Sequence, residues 1–286
     1  MANIKIITDS ASDIPQYLVD RYNISYLPIC VVMDGKIYRD RYDLDGREYA
    51  AGLHDMETIP TTSMVPITLI EEEFRKNLDS FDYQIFVTMS GKGSGGHDAA
   101  VLMKSQIEDE TGHESNIIII DSNLYSELYG KAVIEMAKKA SEGAELDEVL
   151  DTYEQNSKNA CAFFLVDDLK HLEKGGRIKP GAAFVGGILG IKPILTINDG
   201  LVECIGKERG KQKAIEKIVN LTLDCYDGKS KIWIANGAAD EGCEEAIRLL
   251  KEKLDNPEIE MFDLGCIIST HAGSGLVGII FDRRGE

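Results

Sequence analysis

YQIFVTMSGKGSGGHDAAVLMKSQ, residues 83–106, is the stretch that decides the fold. Its first seven residues are mostly aliphatic, aromatic or β-branched, the composition of a buried strand. Residues 90–96 follow with little side chain to shield the backbone. From His97 the pattern turns helical, with Ala100, Val101, Met103 and Ile107 predicted on an apolar face. A strand, a glycine loop and a helix start, in that order, aim backbone N–H groups and the positive end of a helix dipole at one spot. That spot favours an anionic oxygen. A tight strand-to-helix turn needs glycine for positive φ, and the four glycines between Gly91 and Gly96 exceed what a turn requires.

The flanking sequence extends the pattern. Residues 4–8 read as a short buried strand ending in Asp9-Ser10, and residues 116–120 as an aliphatic strand ending in Asp121-Ser122. Helices are expected from about Asp13, with Pro15 in the first turn, and over residues 67–78, 126–141 and 146–157. Strand–helix–strand alternation implies parallel pairing with right-handed crossovers. Loops at the strands' C-terminal ends then gather on one sheet edge, where ligands bind. Residues 24–40 read as a hairpin about Asp34-Gly35, residues 46–54 as a short helix, and residues 59–66 as a loop stiffened by two prolines. That loop carries Thr61, Thr62 and Ser63, of which one serves as helix cap and at least one is left to donate elsewhere.

A domain boundary is expected at residue 158. The fold class is then two α/β domains, 1–158 with a largely parallel sheet flanked by helices and 159–286 with a mixed sheet. The second half opens with a strand at 161–166 and a short helix at 168–174, followed by an exposed, basic, glycine-hinged loop at 172–178. Residues 181–190 (GAAFVGGILG) read as a small-residue helix, with Val185, Ile188, Leu189 and Ile191 as plausible apolar lining. A hairpin joins 192–197 to 201–205 across Asn198-Asp199-Gly200 and leads into a basic loop, 206–211. Strands at 231–235, 258–262, 266–269 and 277–281 and helices up to about Cys225 and over 241–254 complete the alternation, with a loop at 271–275.

Composition narrows the function classes. A formal charge of −18 over 286 residues argues against nucleic acid or an anionic membrane surface as a standing partner. The six cysteines are scattered with no CxxC or zinc spacing, which fits a reducing cytoplasm and no structural metal. No leader-like apolar segment opens the chain, and no run approaches membrane-span length, so a cytoplasmic protein without stable membrane insertion is expected.

Seven landmarks taken together resemble the DegV family of bacterial fatty-acid-binding proteins. They are TDSASDIP (8–15), TTS (61–63), SGKGSGG (90–96), LEKGGRI (172–178), KPIL (192–195), KERGK (207–211) and HAGSGLVG (271–278). The resemblance implies a non-catalytic protein that holds a long-chain fatty acid in a buried tunnel between its two domains and presents the carboxylate to a fatty-acid kinase for acyl-phosphate formation. No cofactor or metal is implied. Carried over by position, the carboxylate binders are Thr62, Ser63, Ser94 and the Gly95 amide, with His271 beside the carboxylate. Arg177 and Arg209 face the partner or the phosphate. The family's TSQPS reads Thr62-Ser63-Met64-Val65-Pro66 here, and its SSGLSGT reads SGKGSGG.

The rival reading is a dinucleotide-dependent enzyme. Gly91-x-Gly93-x-x-Gly96 is a formal GxGxxG between a strand and a helix, and Asp121 ends the next strand, where a ribose-binding acid would sit.

Overall fold

The computed structural model describes residues 2–167, 169–179 and 190–285. The chain begins with β1 (Ile4–Asp9), α1 (Gln16–Arg21), β2 (Ser25–Leu27), β3 (Cys30–Met33), β4 (Lys36–Arg39), α2 (Gly46–Gly52) and β5 (Thr61–Ser63). It continues through α3 (Ile67–Asn77), β6 (Tyr83–Thr88), α4 (Gly96–Thr111), β7 (Ile117–Asp121), α5 (Glu127–Ser141) and α6 (Leu146–Ser157). The remainder is β8 (Ala160–Leu165), α7 (Lys170–Gly175), β9 (Ile191–Asn198), β10 (Leu201–Arg209), α8 (Lys211–Cys225), β11 (Ile232–Gly237), α9 (Asp240–Lys253), β12 (Ile259–Asp263), α10 (Cys266–Ala272) and β13 (Leu276–Asp282). Two compact units result: Met1–Cys30 with Thr62–Lys158, and Val31–Thr61 with Asn159–Glu286.

The first unit is built on a four-stranded sheet of order β2-β1-β6-β7, all parallel. Its central strands are buried on both faces, as continuous apolar runs such as Ile85-Phe86-Val87 require. Helix α5 buries Leu128, Tyr129, Ala132, Val133, Met136 and Ala137, and α3 buries Ile70 and Phe74, the latter edge-on to Phe86. On α4 the inward positions are Ala99, Ala100, Met103 and Ile107, while Val101 faces solvent. Helix α1 starts one residue after Pro15, which occupies the cap position rather than the first turn.

The second unit carries a mixed six-stranded sheet of order β10-β9-β8-β13-β11-β12. Only β11 and β12 pair in parallel; the other neighbours are antiparallel. Its core packs Ile215, Ile218 and Val219 of α8 and Cys243, Ala246 and Leu250 of α9 against Leu165, Ile234, Ile279 and Phe281. The residue 31–61 excursion is pinned to this unit through α2. Arg47 bonds Asp240 (2.6 Å) and Asp263 (3.1 Å), and Asn236 Nδ2 donates to the same two carboxylates. A Cβ on Gly46 would stand 2.7 Å from the Leu264 carbonyl, so only glycine lets α2 approach there.

Four local expectations are corrected. Residues 266–269 are helical, not a strand: Gly265 takes the cap position of α10, and the Thr270 hydroxyl bonds the Cys266 carbonyl at 2.7 Å. An apolar run as short as Cys266-Ile267-Ile268 cannot distinguish the two states by periodicity. Residues 206–209 are not a loop but the end of β10, paired with β9 as far as Arg209–Ile191, with an irregularity between Cys204 and Gly206 that absorbs one residue. Residues 172–178 are not wholly exposed: Leu172 is buried in α7, Gly176 ends that helix with φ 69°, and Ile178 bridges Val202 of β10. Thr61–Ser63 is a short strand rather than loop. The small-residue segment with Val185, Ile188 and Leu189 lies outside the described residues, as does Asp168.

Candidate functional site

The C-terminal edge of the first unit's sheet brings Asp9, the glycine loop and Asp121 together, because β1, β6 and β7 end in register: Thr8 pairs with Val87, and Thr88 with Asp121. The two acids bind loop backbone. Asp9 Oδ2 accepts the Met89 N–H (2.8 Å), and its Oδ1 accepts the Ala11 N–H (3.1 Å) and the buried Tyr129 hydroxyl (2.7 Å). Burial first, then the Asp9 charge, holds the Tyr129 phenol well above its ordinary pKa. Asp121 Oδ1 accepts the Gly91 N–H (3.0 Å) and the Asn123 N–H (2.9 Å). That oxygen clamps the loop to the end of β7, which gives Asp121 a structural part in this chain.

Within the loop, the Ser90 carbonyl accepts the N–H groups of Gly93 (2.9 Å) and Ser94 (3.0 Å), and its hydroxyl accepts that of Lys92 (3.3 Å). None of the four glycines has positive φ. Close approach explains two of them: a Cβ on Gly91 would stand 2.7 Å from Asp121 Oδ2, and one on Gly93 would overlap the Tyr125 hydroxyl and ring. Gly95 takes the cap position of α4 without a side chain to cap it, and the Gly96 N–H donates to Ser94 Oγ at 3.3 Å.

The same end of α4 meets the hydroxyl run. Met64 lies with its sulfur 3.2 Å from where a Cβ on Gly95 would be. Met64 follows Thr62 and Ser63 directly, so the two stretches that carry the predicted carboxylate binders approach each other at that point. No hydroxyl of the run caps α3; its cap position is Pro66. Thr62 and Ser94 are half-buried, and Ser63 and Gly95 are exposed.

The other predicted residues belong to the second unit. Helices α7 and α10 pack so that each lays a histidine on the other's terminal glycine. The His171 ring covers Gly273, where a Cβ would come within 3.0 Å of it, and the His271 ring covers Gly175, where a Cβ would overlap Nδ1. His171 Nδ1 lies 2.9 Å from the Thr270 carbonyl. Arg177 Nη1 donates to the Gly175 carbonyl, which puts guanidinium and His271 imidazole on the same residue. Burial, then the Arg177 and His171 charges, pushes the His271 pKa down to about 4, so its ring is neutral at pH 7. Arg209 is exposed at the far end of β10. Arg177 bonds Val202 through its backbone, so seven strand residues, roughly 23 Å, separate the two arginines along β10. Sequence reasoning missed His171, which carries no motif signal, and the contact of Met64 with Gly95, which only packing reveals.

Among the described residues no group of three His, Cys, Asp or Glu side chains is placed to hold a metal, and no helix is long and apolar enough to cross a membrane.

The DegV family model, that of an uncharacterised protein family, matches residues 3–284. A DegV domain-containing protein of Caldanaerobacter subterraneus subsp. tengcongensis is 32% identical over 288 residues, covering 99% of this chain and all of its own. Among solved structures, a DegV family protein from Thermus thermophilus reported for fatty acid binding superposes with TM-score 0.86 at 28% identity, covering 99% of this chain and all of the other. DegV of Bacillus subtilis, a fatty acid binding protein, gives 0.84 at 27% identity with the same coverage. Matched from residue 3 to residue 284, with its two α/β units and its glycine loop in place, this chain belongs to the DegV family.

Proposed function

We propose that this protein binds a long-chain fatty acid, with the carboxylate at the Thr62–Ser63 and Ser94–Gly95 stretches, and presents it to a fatty-acid kinase without doing chemistry itself. The observation that carries this reading is the approach of Met64 to Gly95, which brings the hydroxyl run to the start of α4, where Ser94 Oγ accepts the Gly96 N–H. Neutral donors of that kind favour an ionised carboxylate. Burial of the acyl chain adds about 0.8 kcal/mol per methylene. The fatty acids associated with relatives from Thermus and Bacillus support the ligand class. His271, neutral and beside Arg177, suits a hydrogen bond to the head group, and Arg177 suits the phosphate added there. Arg209, exposed, suits the partner.

Denaturing extraction of the purified protein followed by mass spectrometry tests the ligand. A long-chain fatty acid is the expected product. An apo protein that also takes up no added palmitate or oleate refutes the reading. A second arm adds ATP and a fatty-acid kinase and traps the acyl phosphate with hydroxylamine. Hydroxamate that is lost in Arg209→Ala, while palmitate binding persists, supports presentation; no hydroxamate from the loaded wild type refutes it.

A further inference from the structure

The α7–α10 contact contains a residue that neither the motifs nor the fatty-acid reading uses. The last carbonyls of a helix lack intrahelical partners, and α10 ends one residue after His271. Thr270, buried beside His271, has its hydroxyl 2.7 Å from that of Tyr49 and its carbonyl 2.9 Å from His171 Nδ1. A carbonyl only accepts, so Nδ1 of His171 carries the proton and the neutral ring is the Nδ1–H tautomer. The ring also lies on Gly273, whose φ of 76° begins the turn after α10.

We propose that His171 is a positioning residue for the head-group site: its hydrogen bond to Thr270 and its packing on Gly273 fix the turn that aims His271. This inference rests on the reading that His271 meets the ligand's head group. His171 grips the backbone on both sides of His271, at 270 and at 273, while His271 rests on the glycine that ends α7. A shift of either helix therefore moves the His271 ring, and the Arg177 guanidinium on the same Gly175 moves with it.

The test combines palmitate titration with long-range 1H–15N spectra of histidine-labelled protein. His171→Phe keeps a ring over Gly273 but loses the donor, and it is expected to weaken palmitate binding about tenfold. His171→Asn places an amide N–H near the Nδ1 position and is expected to bind within about threefold of wild type. In a His271→Ala background, His171→Phe should change affinity less than about twofold, because its effect passes through His271. The wild-type spectrum should show His171 as the Nδ1–H tautomer, and His171→Phe should shift the His271 titration. An Nε2–H tautomer at His171 overturns the proposal, whether or not any variant folds. So does an equal loss from His171→Phe with and without His271. If the wild type binds no palmitate, the functional reading fails instead, and the tautomer and the His271 titration still decide the positioning role.

Discussion

Asp121→Ala separates the two readings of the glycine loop. One carboxylate oxygen of Asp121 accepts two backbone N–H groups, from Gly91 and Asn123, thirty and two residues away in the chain. Hydrogen bonds to charged groups contribute about 1.5–3 kcal/mol each. Asp121 is half-buried and water replaces part of what is lost, so the low end applies and the pair is worth about 2–3 kcal/mol. Asp121→Asn keeps an acceptor at the same point and should cost about 1 kcal/mol or less. Hydrogen exchange reads the effect where it occurs: the Gly91 and Asn123 amides should lose roughly thirty- to hundredfold in protection in Asp121→Ala. Palmitate affinity should fall as well, because the loop is no longer clamped to β7. If Asp121 were a ribose ligand, the substitution would leave the amides protected and abolish an NADH fluorescence response of the wild type. Unchanged protection in Asp121→Ala refutes the structural assignment.

Three further outcomes are expected. Thr62→Val and Ser94→Ala should each weaken palmitate binding roughly tenfold to hundredfold, with little salt dependence because the donors are neutral; calorimetric titrations at two salt concentrations check this. Gly93→Ala should destabilise the first unit by about 1–3 kcal/mol, since buried Tyr125 occupies the space of the new methyl, and urea unfolding followed by circular dichroism measures it. His271, with its folded pKa near 4 below the ordinary 6.5, binds fewer protons when folded than when unfolded between those values. Stability should therefore be full above pH 6.5 and decline as pH falls toward 4, by about 3 kcal/mol; His271→Gln should flatten that window in denaturation midpoints measured at each pH.

The local architecture was largely legible in the residues. The strand–glycine loop–helix reading of 83–106 matches β6 and α4, because an apolar run, a cluster of glycines and a 3.6-residue period are each local signals. The parallel first sheet and the mixed second sheet follow from crossover length and from the Asn198-Asp199-Gly200 turn. Residues 266–269 misread as strand because so short an apolar run, Cys266-Ile267-Ile268, is compatible with either state. Residues 206–209 misread as loop because glycine and charge mark turns, whereas an edge strand with an irregular register tolerates both.

The reasons behind the candidate site were not legible. Gly91 and Gly93 stand where they do because Asp121 and Tyr125, tens of residues away, fill the space of a side chain, and no count of glycines distinguishes that from an anion cradle. The excursion of residues 31–61 groups with the second unit through Arg47 and its two aspartates, a pairing with about two hundred residues between partners. Sequence alone determined that hydroxyls, a glycine loop, two arginines and a histidine occur in this order. Tertiary packing decided that Met64 meets Gly95 and that His171 and His271 trade places over each other's glycines, while Arg209 stays at the far end of its strand. The physical reason is that periodicity and propensity act over a few residues, whereas contact, exclusion and charge neighbourhood act through space.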